Sequence, residues 1–100
     1  MYNLTVTRVR PNTSVEFMTT KTEADLEYYA NTYQNDIQVP PSITYSEDNL
    51  TQTVHLTANL EITLTNYVAE FANTSSPLYD RTQWCTENNI TVSFSPVTSS

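Results

Sequence analysis

Residues 51–71, TQTVHLTANLEITLTNYVAEF, carry two incompatible repeats. Val54, Leu56, Ala58, Leu60, Ile62 and Leu64 put an apolar side chain at every second position, the pattern of a strand with one buried face. Leu60, Leu64, Tyr67, Val68 and Phe71 instead lie on one helical stripe. Neighbouring Tyr67 and Val68 arbitrate, because they would sit on opposite faces of a strand but share a helix face. Asn59 is a good cap. The spacing therefore predicts a strand that gives way to a helix near Asn59, the helix reaching about Ala72. A strand running on to Thr65 is the alternative, favoured by Thr63 and Thr65, which are poor helix formers.

The stretch SITYSEDNLTQTVHLTA places a second alternating run before this one, with Asp48-Asn49 between them. That dipeptide predicts a two-residue hairpin turn with positive φ at both corners. The register then pairs Ser42 with His55, Ile43 with Val54, Thr44 with Thr53 and Tyr45 with Gln52. Tyr2–Val9 reads as a strand, followed by a turn at Pro11-Asn12; Val15 and Phe17 alternate too briefly to assign. Residues 22–35 predict a helix burying Leu26, Tyr29, Ala30 and Tyr33, capped by Thr22 and stopped before the Pro40-Pro41 pair. Ser76-Pro77 predicts the start of another helix, with Leu78, Trp84 and Cys85 inward and Asn88-Asn89 at its end. Residues 90–97 alternate again as a last strand, and 98–100 read as a frayed tail.

The order is β-α-β-β-α-β in one α+β domain over residues 1–97. The right-handed crossover rule turns that order into a ferredoxin-like sandwich, an antiparallel sheet with helices on one face. The helices cover Leu4, Val6, Ile43, Val54, Leu56, Ile90, Val92 and Phe94. The opposite face collects Thr5, Thr7, Thr44, Thr53, His55, Thr57, Thr91, Ser93 and Ser95. Thr favours strands and tolerates water, so this face reads as solvated or as a polar interface. RNA-recognition sheets carry stacking aromatic rings there, and this face has none. A coat of hydroxyls leaves no apolar or basic hollow on that side for chemistry.

Composition narrows function by exclusion. The chain has no glycine, where about seven would be usual in a hundred residues. Turns needing positive φ must use Asn or Asp, and phosphate-cradling glycine loops, dinucleotide fingerprints and glycine-flanked serine elbows are ruled out. Eleven acidic residues against four basic ones give a net charge of −7, which argues against nucleic-acid binding. No apolar run is long enough to span a membrane, and MYNLTVTRVR lacks the apolar stretch of a secretory leader. The single cysteine forms no internal disulfide and points to a reducing compartment. Asn-x-Ser/Thr sequons at Asn3, Asn12, Asn49, Asn73 and Asn89 reflect the abundance of Asn and Thr.

Candidate chemistry is sparse. His55, the only histidine, has Ser42 as its expected neighbour but no orienting acid or oxyanion donor, so it reads as an exposed strand histidine. Cys85 beside Trp84 reads as a small core residue, and one His with one Cys makes no zinc signature. Glu47-Asp48-Asn49 is a charged hairpin tip with too few oxygens for calcium. No catalytic residue, cofactor or metal ligand is therefore expected. Arg8 and Arg10 share the phase of Leu4 and Val6; if the strand ends near residue 8, they emerge at the sheet rim, where acids of a neighbouring subunit could pair with them. With Thr53, His55, Thr57, Thr91 and Ser93 they form the candidate interface.

The stretches TRVRPNTSVEF and YSEDNLTQTV, followed by the Tyr67–Phe71 helix segment, resemble small α+β proteins of tailed phages that infect marine cyanobacteria. The resemblance spans most of the chain, and its motifs are structural. It implies a viral protein, a virion component such as a decoration or tail-associated subunit, located in the virion or the host cytoplasm, with itself or other virion subunits as protein partners and neither nucleic acid nor membrane. Two other readings stay open: a dimeric α+β-barrel enzyme or ligand-binding protein using the sheet face around His55, and a small acidic modulator of a host protein.

Overall fold

The computed structural model describes residues 1–17, 28, 31–33, 36–37 and 42–99. Most of the predicted 22–35 helix lies outside the described residues; Tyr28, Asn31 and Thr32 within it are helical. The protein is an α+β domain built on an antiparallel sheet. In chain order the described elements are β1 (Tyr2–Val9), β2 (Ser42–Tyr45), β3 (Thr51–Ala58), α1 (Glu61–Glu70), α2 (Tyr79–Glu87), β4 (Thr91–Phe94) and β5 (Thr98–Ser99). The strands lie in the order β2-β3-β1-β4, and β5 also pairs with β1.

The β2–β3 register matches the one expected from alternation, with Ser42 opposite His55, Ile43 opposite Val54, Thr44 opposite Thr53 and Tyr45 opposite Gln52. The turn that sets it differs. Only Asn49 has positive φ, at 61°, and Asp48 does not. The Asn49 amide donates to the Ser46 carbonyl at 2.9 Å, and the Ser46 amide to the Thr51 carbonyl at 2.9 Å. The loop is thus a longer one that starts with a tight turn and ends on a left-handed Asn. Asp48 is its brace: Oδ1 accepts from the Ser46 hydroxyl at 2.6 Å and from the Leu50 amide at 3.0 Å. Both turns are centred on the same point, so the register survives the change of turn.

The switch from strand to helix falls where the sequence placed it, with β3 ending at Ala58 and α1 beginning at Glu61. The cap does not. Asn59 caps nothing with its side chain, and the helix start carries no side-chain cap; Asp36 instead braces the turn that leads into it from across the fold. Its carboxylate accepts from the Asn59 amide at 3.1 Å and from the Leu60 amide at 3.2 Å. The Thr63 hydroxyl and these two amides hold the Asp36 carboxyl below its ordinary range. Leu60 and Ile62 are exposed, so the buried stripe of α1 starts at Leu64 and continues through Tyr67 and Phe71.

Helix α2 follows the Ser76-Pro77-Leu78 turn, in which the Leu78 amide donates to Ser76 Oγ at 3.2 Å. It ends as expected on Asn89, whose φ is 58°, with the Ile90 amide reaching back to the Cys85 carbonyl at 2.8 Å. Its inward face differs from expectation: Leu78, Arg81 and Cys85 are buried, whereas Trp84 turns aside to donate from Nε1 to the Glu16 carbonyl at 2.9 Å. The expected frayed tail is paired over Thr98 and Ser99, which sit opposite Asn3 and Tyr2.

The core lies between the sheet and the helices. Leu4, Val6, Leu56 and Ala58 form its floor, and Leu64 and Leu78 come down from above. Aromatic rings run through it from Tyr33 to Tyr67 to Phe71 to Phe94, with centroids 5.4, 5.1 and 5.4 Å apart. At the end of that row the Tyr28 and Tyr33 hydroxyls both donate to the Glu70 carboxylate. The Ser76 hydroxyl donates to the same group at 3.2 Å. The Glu70 hydrogen bond pushes the Tyr28 phenol up; burial, then the same carboxylate, pushes up Tyr33. This cluster ties the end of α1 to the chain before β2 and to the turn before α2.

Candidate functional site

The two faces of the sheet divide the candidate residues. On the face away from the helices, the registers align Thr44, Thr53, Thr7 and Ser93 across four strands, and Ser42, His55 and Thr5 in the next rank. Thr57 lies opposite Asn3, and Thr91 opposite Val9. Thr53, His55, Thr57, Thr91 and Ser93 are therefore brought to one polar surface. His55 is exposed, and its Nε2 lies 3.2 Å from Asn3 Oδ1. At the end of β4, Ser95 Oγ takes the Thr5 amide at 2.9 Å, while the Ser95 amide donates to the Thr5 carbonyl at 2.9 Å.

The two arginines do not join that surface. Strand β1 continues to Val9, so Arg8 keeps the phase of Leu4 and Val6 and points beneath the helices, with only 6% of its surface exposed. Its Nη1 donates to Gln52 Oε1 at 3.1 Å. Arg10 clasps the adjoining loops instead. It donates to the carbonyls of Asn49 at 2.8 Å and Val15 at 2.9 Å, and its guanidinium stands 4.5 Å from the centre of the Phe17 ring. For Arg8 the expected place at the rim is corrected, because β1 runs through to Val9 and carries it under the helices; Arg10, just past the strand end, is engaged by acceptors of its own chain.

Arg8 opens onto the principal cavity of the described residues, about 620 Å³, between α1, α2 and the helix-side face of β1 and β4. Val68, Phe71, Val92 and Phe94 supply apolar walls, and Thr82 and Thr86 add hydroxyls. Arg81, 5% exposed, lines it as well. Burial pushes the Arg8 guanidinium down; Tyr67 and Cys85 oppose the shift, and the positive charge of Arg81 reinforces it. Burial likewise pushes the Cys85 thiol up, with Arg8 acting against the shift. A raised thiol in a buried position suits a structural cysteine more than a nucleophile. A hollow lined by apolar side chains and two arginines is thus present on the helix side of the sheet.

The signal for this cavity was in the sequence. Arg8 sits two positions after Val6, in the buried phase of β1, and Arg81 stands between Leu78 and Cys85 at helical spacing on the inward face of α2. Among the described residues no group of three or more His, Cys, Asp or Glu side chains is placed to hold a metal ion, and no helix is long and apolar enough to cross a membrane. No protein-family model matches the chain, and no curated protein matches it.

Proposed function

We propose that the protein is a non-enzymatic structural or interaction subunit of a tailed-phage particle, decorating the capsid or associated with the tail and working in copies through its surface. The observation that carries this reading is the edge strand β2. All four of its residues are exposed. Among the described strands it lies at the end of the sheet, and Ile43 and Tyr45 stand 47% and 55% exposed on the side where the other strands bury their apolar residues. An apolar exposed edge is a template for pairing with another strand. The hydroxyl face beside it offers a polar surface that a neighbour can cover without stranding a charge. We also infer that the domain is a ferredoxin-like split β-α-β sandwich. Support comes from β1 and β3 as antiparallel central neighbours flanked by β4 and β2, with α1 and α2 between β3 and β4.

Light scattering on the purified protein, with a search for it by mass spectrometry in purified particles, tests the proposal. A defined oligomer that Tyr45→Lys dissociates, together with presence in particles, is the expected result. A strict monomer absent from particles overturns it.

A further inference from the structure

Ionic chemistry in this protein is distributed unevenly. The chain carries eleven acidic residues and only four basic ones. Yet two of those basic residues, Arg8 and Arg81, are buried on the walls of one cavity, and no Asp or Glu is among its described lining residues.

Arg8 is the decisive residue. A buried guanidinium stays protonated and is costly to desolvate unless an anion or several acceptors compensate it. Arg8 donates to the neutral amide of Gln52 and is also hydrogen-bonded to the Cys85 thiol, so these described acceptors carry no charge. Among the described residues, the groups that act most strongly on its ionisation are Tyr67, Cys85 and Arg81, none of them a carboxylate. The cavity it faces, about 620 Å³, falls in the size range of small-molecule sites and is walled largely by apolar side chains.

We propose that this cavity is a binding site for a small amphipathic anion: a carboxylate or phosphate ester carried on a flat apolar body. The anionic group pairs with the Arg8 guanidinium on the sheet floor. The apolar body packs against Phe71, Phe94, Val68 and Val92, and the Thr82 and Thr86 hydroxyls line the α2 side. This site lies on the opposite side of the sheet from the hydroxyl face and does not depend on membership of a particle.

The test is calorimetric titration of the full chain with naphthyl phosphate, naphthoate, the neutral naphthalenemethanol and inorganic phosphate, alongside amide shifts in nuclear magnetic resonance spectra. The expected result is saturable binding of at least one aromatic anion, with shifts gathered at Phe71, Cys85 and Phe94. The neutral alcohol should bind about tenfold more weakly or worse, as expected when a charge-assisted hydrogen bond is lost. The tighter of the two anions identifies the head group. Arg8→Met should erase the preference for anion over alcohol. Ala72→Trp, at an exposed position on the cavity wall, leaves Arg8 in place and should weaken all the aromatic ligands. Absence of saturable binding by either anion, equal binding of the alcohol, or an intact anion preference in Arg8→Met overturns the proposal. Should Arg8→Met fail to fold, unaltered anion binding in Ala72→Trp overturns it.

Discussion

The two sides of this sheet come from the same strands but relate to water in opposite ways. On one side Thr7, Thr53 and Ser93 line up across β1, β3 and β4 with their hydroxyls toward solvent. On the other, one residue along each strand, Val6, Gln52 and Val92 lie beneath the helices, and Leu4 is fully buried. The difference teaches that a strand residue's role here is set by its parity before its chemistry. Arg8 is the clearest case, since a charged side chain in the even phase is carried into the interior. The polar side presents ranks of hydroxyls, and the helix side holds a hollow of about 620 Å³. Stability should reside almost wholly on the helix side.

That asymmetry can be broken by substitution within one strand. Leu4→Ala on the buried phase of β1 should cost about 2–5 kcal/mol, the usual range for emptying a leucine site in a packed core. Urea denaturation measures it, and a loss below about 1 kcal/mol would mean that the helix layer is loosely packed. The next effect in size sharpens how the helices are attached to the sheet. Asp36→Ala removes the carboxylate that holds the Asn59 and Leu60 amides in the turn leading into α1, at a cost of about 1 kcal/mol.

This contribution depends on pH with a definite sign. The Asp36 carboxyl is depressed in the folded state. Its stabilisation is therefore complete above the ordinary carboxylate range and is lost as pH falls through the depressed folded value. Thermal melts across that acid range should show a shallower loss of stability in Asp36→Ala than in the parent chain, and parallel curves would remove Asp36 as the source. The smallest effect belongs to the hydroxyl side. Thr7→Val keeps the β-branch and removes only the hydroxyl, so its stability change should stay within about 0.5 kcal/mol. A loss of more than about 1.5 kcal/mol in the same melts would show that the hydroxyls form a structural network.

Much of the fold was legible because alternation is a local signal. The β2–β3 register followed from two apolar phases meeting around Asp48-Asn49, and it held although the turn proved longer than the one expected. The left-handed positions fell on Asn49 and Asn89, as a chain without glycine requires. The hydroxyl surface was legible for the same reason, residue by residue from Thr5 to Ser93. The cavity was only half legible. Arg8 stood in the phase of Leu4 and Val6, yet with Arg10 it was expected at a rim, and the inward face of α2 was expected to hold Leu78, Trp84 and Cys85 without Arg81.

Sequence by itself determined parity: which side chains share a face, where the period changes after Ala58, and where an Asn must replace glycine. These depend on residues a few positions apart, whose geometry follows from the backbone repeat. Tertiary structure alone decided that Asp36 braces the turn into α1, that Glu70 collects the hydroxyls of Tyr28, Tyr33 and Ser76, and that Arg8 and Arg81 line one hollow. Each of these joins groups on separate elements. Their distance is set by how the helices dock on the sheet, a property of the packed whole that no local repeat encodes.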